Sequence, residues 1–184
     1  MAISKKDQRK VIDRVLILLG GVMAVVMLTA GGIAWKGYTF ATSQVKTELA
    51  SQKIFFPQAG SASFSAEEYP ELQKYAGQQV DDGVKAKAYA NGYIGRHLEK
   101  IAGGKTYSEV SAMAMKDPTN TKLQGQKATL FQGETLRGLL LSAGYSYWTM
   151  GMLAKYAAIA FFVGAILMLI LVVMGVMHLA RLKS

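Results

Sequence analysis

The sequence contains no cysteine. Disulfides, a lipoprotein anchor and a C-x-x-C-H haem attachment are therefore excluded, and zinc loses a common ligand. Histidine is almost as scarce, with only His97 and His178 present. A non-haem iron site asks for two histidines and a carboxylate on one centre. There is no G-x-S-x-G nucleophile elbow. The string "EKIAGGKT" lacks the first glycine of a P-loop and follows an expected helix rather than a strand. No cofactor and no metal site are expected.

Charge is missing from two long stretches. Val15 to Trp35 gives 21 consecutive uncharged residues, and Tyr156 to Ala180 gives 25. At the rise of an α-helix the shorter run covers roughly 31 Å, against a bilayer core of ~30 Å. Both exceed the ~18 apolar residues that separate a spanning helix from a buried soluble one. The centres of both runs lack Asp, Glu, Lys and Arg, which argues against proton or ion relay by this chain alone. The basic start "MAISKKDQRKVIDR" resembles a signal n-region. The apolar run after it is longer than a cleaved h-region and no A-x-A site follows, so it is expected to stay as a span.

What charge there is marks orientation. Of 21 Lys and Arg against 12 Asp and Glu, five basic residues precede Val15 and two follow Ala180. Short basic flanks face the cytoplasm. The expected organisation is a cytoplasmic tail (1–14), a first span (15–35), an extracytoplasmic helical domain (36–137), an interfacial helix (138–155), a second span (156–180) and a cytoplasmic tail (181–184). Trp35, Tyr38, Tyr145, Tyr147, Trp148 and Tyr156 form the expected outer aromatic belt, with Lys155 snorkelling beside them. The net charge of +9 is then largely a topology signal, and nucleic acid is not an expected partner.

The central region reads as helical. "GYTFATSQVKTELASQKIFF" extends the first span outward until Pro57, and "PQAGSASFS" is a loop. Ser65 and Glu68 have capping-box spacing, cut short by Pro70. Asp82 caps a helix to about Ala102, with Gly103 as its stop. Its inward face is expected to hold Val84, Ala88, Asn91, Ile94, Leu98 and Ile101, leaving Lys85, Tyr89, Tyr93, Arg96, His97 and Lys100 outward. Thr106 and Glu109 form a second capping box, and Asp117-Pro118 ends that helix. Residues 117–133 are too polar and glycine-broken to assign. A long helix from Gly133-Glu134 leads into the second span. The fold class is an all-α membrane protein, two transmembrane helices joined by an α-helical extracytoplasmic cap.

Small residues mark faces where helices can approach closely: Gly20, Ala24 and Gly31 on the first span, and Ala157, Ala160, Gly164 and Gly175 on the second. With Tyr89, Tyr93, Arg96 and His97, types enriched at interfaces, they are the candidate partner contacts. No residue emerges as catalytic.

The stretches "KAYANGYIGRHLEKIAGGKTYSEVS" and "FQGETLRGLLLSAGYSYW", with the two-span layout, resemble a family of small actinobacterial two-span membrane proteins. Members are often labelled aromatic ring-opening dioxygenases, which the histidine content does not support. The resemblance implies an accessory subunit of the actinobacterial respiratory supercomplex of a cytochrome bcc complex and a cytochrome c oxidase. Its expected partners are integral membrane subunits and the lipid bilayer. An independent extracytoplasmic binding or envelope-maintenance protein is the alternative, and a membrane-anchored enzyme a third.

Overall fold

The computed structural model describes residues 5–181; residues 1–4 and 182–184 of the expected tails, Lys183 among them, lie outside the described residues. The described residues are helical apart from turns, loops and one isolated antiparallel bridge between Phe55 and Gln79. The elements are α1 (Lys5–Ser51), a 3₁₀ turn (Pro70–Tyr75), α2 (Gly83–Lys87), a π-turn (Ala88–Ile94), α3 (Gly95–Ala102), α4 (Tyr107–Lys116), α5 (Thr121–Leu139), a second π-turn (Leu140–Ser146) and α6 (Tyr147–Arg181). Two helices are long and apolar enough to cross a membrane. The chain divides into two compact units, residues 1–39 with 151–184 and residues 40–150.

The first unit is an antiparallel pair formed by α1 and α6. The lateral contacts run in opposite directions. A Cβ on Gly175 would sit 2.9 Å from Ile17 Cγ1, one on Gly20 would sit 2.8 Å from Val172 Cγ2, and one on Gly31 would sit 2.7 Å from Phe162 Cε1. Farther along, Lys155 Nζ lies 5.4 Å from the Tyr38 ring. Ala24, Ala158 and Ala165 are buried between the helices. Their absent or short side chains permit this approach, the packing mode expected where hydrocarbon surrounds both helices. Most other large side chains of the pair are exposed apolar groups, while Ile17, Met27, Phe162 and Val172 are half-buried at the contact.

The expected boundaries at 14/15 and 35/36 fall inside α1, which is one uninterrupted helix. Residues 117–133 also resolve. Asn120 accepts a hydrogen bond from the Leu123 amide at 3.2 Å and caps α5 at Thr121, twelve residues before the expected start. Gly125 and Gly133 weaken that helix by about 1 kcal/mol each on propensity alone. Packing overrides this at Gly133, where any Cβ would overlap the Leu98 side chain.

The second unit builds its own core. Asp82 caps α2 through the Lys85 amide at 2.8 Å. Gly103 closes α3 in the left-handed conformation (φ 58°, ψ 42°), where an L side chain is strained. Thr106 and Glu109 form both halves of a capping box on α4. Between Ser51 and Gly83 the chain has little regular structure, yet it supplies Phe56, Phe64, Tyr69, Leu72 and Val80 to the core. Glutamine amides hold that core's helix ends. Gln79 Nε2 donates to the Ala50 carbonyl at 2.7 Å, Gln126 Nε2 to Ile101 at 2.7 Å and Gln124 Nε2 to Ala114 at 3.0 Å. Each carbonyl belongs to the last turn of its helix, where no amide within the helix can reach it.

Candidate interaction surfaces

The stripe Tyr89, Tyr93, Arg96 and His97 does not form one outward face. The buried side chains along this helix are Ala86, Ala90, Ile94, Leu98 and Ala102, each four residues after the last. Residues four apart drift around a regular α-helix, but the wider π-turn at Ala88–Ile94 absorbs the drift. Val84, expected inside, is 52% exposed. Asn91, also expected inside, is exposed and its Oδ1 accepts from Arg137 at 3.1 Å.

Tyr89 and Tyr93 turn inward. Their ring centroids are 5.1 Å apart; Tyr89 meets Phe56 at 5.1 Å, and Tyr93 meets Phe64 at 5.7 Å and Tyr69 at 5.5 Å. With Tyr75, stacked on Phe56 at 5.3 Å, six aromatic rings make one cluster. Such pairs contribute about 0.5–1.5 kcal/mol each beyond area burial. The reading of both tyrosines as freely outward groups is thereby corrected: the irregular segment 52–82 brings aromatic rings to meet them.

Arg96 is a clamp. Its guanidinium donates to the Glu68 carbonyl and to Glu71 Oε1, each at 2.5 Å, and lies 5.5 Å from the Tyr69 ring. Lys100 Nζ pairs with Glu68 Oε1 at 2.5 Å. The Lys100 contact, followed by a hydrogen bond from Tyr69, holds the Glu68 carboxyl below its ordinary range. Burial, followed by that same bond, pushes the Tyr69 hydroxyl up to about 12. Of the four stripe residues, His97 alone is exposed.

The small residues of the first unit meet each other's helices. Gly20, Ala24 and Gly31 face α6, and Gly164 and Gly175 face α1, with Met27 seated over Gly164. Ala157 and Ala160 are exposed. The aromatic belt divides as well. Trp35 and Tyr38 pack edge to face at 5.4 Å with Trp35 still exposed, and Tyr147 and Tyr156 are exposed. In the second unit Trp148 closes over Gly83, and the Tyr145 hydroxyl accepts from Lys87 Nζ at 3.2 Å.

Two features escaped the sequence reading. The rings of Tyr107 on α4 and Phe131 on α5 lie 5.8 Å apart and both are exposed. A polar cleft of about 360 Å³ opens between α3 and α5, lined by Asn91, Arg96, Glu99, Lys105, Glu134 and Arg137. Within it Arg137 holds Glu134 at 3.0 Å. The cleft residues are spread over 47 positions of sequence with no motif spacing to join them. Among the described residues no three His, Asp or Glu side chains converge as a metal site, and His97 and His178 belong to different units.

No known protein family, no curated protein and no solved structure gives a significant match to this chain. The family resemblance rests on the quoted sequence stretches and the two-helix layout.

Proposed function

We propose that this chain is a two-pass membrane protein with both termini cytoplasmic and residues 40–150 outside. In this reading it is a non-catalytic accessory subunit of a larger membrane complex. The respiratory bcc–cytochrome c oxidase supercomplex is the expected assembly. Its spans pack on larger subunits and its outer helical unit caps their surface, aiding assembly or stability. The observation that carries the reading is the exposed apolar surface of the second unit. Phe131 is 58% and Met115 68% exposed, although neither belongs to a helix stretch that lipid would cover in this topology. Exposed aromatic and methionine side chains outside a membrane favour a protein partner.

Affinity purification in mild detergent, followed by a visible spectrum and mass spectrometry, tests the proposal. Co-purified haem bands and cytochrome subunits are expected, and an isolated chain overturns it. A second reading, an independent extracytoplasmic binding protein, draws support from the polar cleft beside α3 and α5. Under that reading the chain purifies alone and a small polar solute protects Arg137 and Lys105 from chemical modification.

A further inference from the structure

Near the end of the α1–α6 pair that carries the chain termini, the two helices part to leave a groove of about 310 Å³. That volume is at the small end of the range for specific ligand sites. Its walls are apolar, with Leu16 and Ile17 on α1 and Met168 and Leu171 on α6; its terminal residues are Asp13 and His178. Asp13 is thus an acid inside a predominantly basic flank. Its Oδ2 is shielded from solvent and accepts no hydrogen bond. A shielded carboxylate oxygen without a donor is unfavourable in an apolar setting, and a cationic N–H group relieves it. His178 closes the same end of the groove from α6, while exposed Arg14 lies outside the lining, next to Asp13 in sequence and about 100° around the helix from it.

We propose that this groove binds an aminophospholipid. Its primary ammonium donates to Asp13 Oδ2, its phosphate meets Arg14, and one acyl chain lies along Leu16, Ile17 and Leu171. The adjacent acid and base match a zwitterionic headgroup, whose opposite charges lie at similar depth. An anionic headgroup without an amine leaves the Asp13 oxygen unanswered and is repelled by it. A choline headgroup carries the same charge as ethanolamine but has no N–H to donate. The site therefore discriminates ethanolamine from choline through hydrogen bonding alone.

The proposal rests on α1 and α6 lying in a bilayer, and the two ideas fail differently. Carbonate washing of membranes that releases the chain sinks both. A carbonate-resistant chain is then purified, stripped of lipid in detergent and offered phosphatidylethanolamine, phosphatidylcholine and phosphatidylglycerol of identical acyl chains. The wild-type chain is expected to retain the ethanolamine lipid about tenfold more than the choline lipid. Asp13→Asn is expected to bring that ratio close to one, while Asp13→Glu restores part of it. Circular dichroism of the lipid-free variants verifies their fold, and Leu171→Trp, which fills the groove without touching the acid, should lower retention of both lipids. Equal retention by the wild-type chain, preference for the glycerol lipid, or an ethanolamine preference that survives Asp13→Asn each overturns the site.

Discussion

The ring of Tyr93 meets Phe64 at 5.7 Å with the planes 72° apart, joining the helix after Asp82 to a segment with almost no regular structure. This contact makes Tyr93 a core residue of the second unit. Tyr93→Ala should destabilise that unit by about 2–4 kcal/mol, somewhat below a fully buried aromatic because the residue is only half-buried. Leu98→Ala, at a buried position, should cost about 2–5 kcal/mol. Limited proteolysis in membranes reads both. Wild-type protease resistance in Tyr93→Ala would contradict the aromatic cluster.

Gly133 and Leu98 form a seat and its occupant. Gly133→Ala improves helix propensity yet should destabilise the unit by about 1–3 kcal/mol, since the added methyl overlaps Leu98. Pairing it with Leu98→Val should return part of that loss. A double-mutant cycle with no coupling would remove the seat from the account.

The same logic applies between the spans. Gly31→Leu places a side chain where Phe162 Cε1 lies 2.7 Å from the Cβ position, so it should separate α1 from α6. Ala157→Leu, at an exposed position, should leave the pair intact. Cross-linking of paired cysteines at Ile17 and Gly175 measures the separation. If Ala157→Leu instead abolishes co-purification with partners while the pair still cross-links, that exposed face belongs to the interface.

Alkali should loosen the second unit in a definite window. Tyr69 is pushed up to about 12 by burial and then by Glu68, whereas an unfolded tyrosine loses its proton near ~10. Its contribution is complete below the unfolded value and disappears as pH climbs from ~10 towards about 12. Tyr89, raised by burial and then by Tyr93, acts in the same direction. Acid has the opposite sign. Glu68 is held low by Lys100 and then Tyr69, so its contribution is present above the usual carboxylate range and fades as pH falls through and below it. Thermal melts across pH should show both limbs, and Tyr69→Phe should flatten the alkaline one.

Topology has a direct readout. Gln8→Cys should resist an impermeant thiol reagent in intact cells, while Ser63→Cys reacts. The reverse pattern inverts the proposed orientation.

How legible this chain is depends on the range of the interaction. Asp82, Gly103 and the Thr106–Glu109 box lie within three or four residues of what they cap, and local chemistry is enough to place them. The two charge-free stretches, 15–35 and 156–180, are equally plain. The aromatic core is not: Phe64 comes from a stretch that reads as a loop, Phe56 from one that reads as the end of the first helix, which in fact stops at Ser51, and Tyr69 and Tyr75 from a helix start cut short by Pro70. The π-turn at Ala88–Ile94 hid the true buried face, since a fixed helical period cannot follow a change of pitch. Arg96 looks like a surface group until Glu68 and Glu71, 28 and 25 residues away, are brought to it. The asymmetric use of the small residues could not be seen either: any glycine on a spanning helix offers close approach, but only the register of the pair says to whom.

The glutamine amides at Ala50, Ile101 and Ala114 also tie the second unit to a slow chemical clock. Deamidation at Gln79, Gln124 or Gln126 would exchange a donor for a carboxylate, setting negative charge against a carbonyl oxygen at the negative end of a helix. Ageing of the polypeptide would then be felt first where three helices end, as fraying inward from those ends.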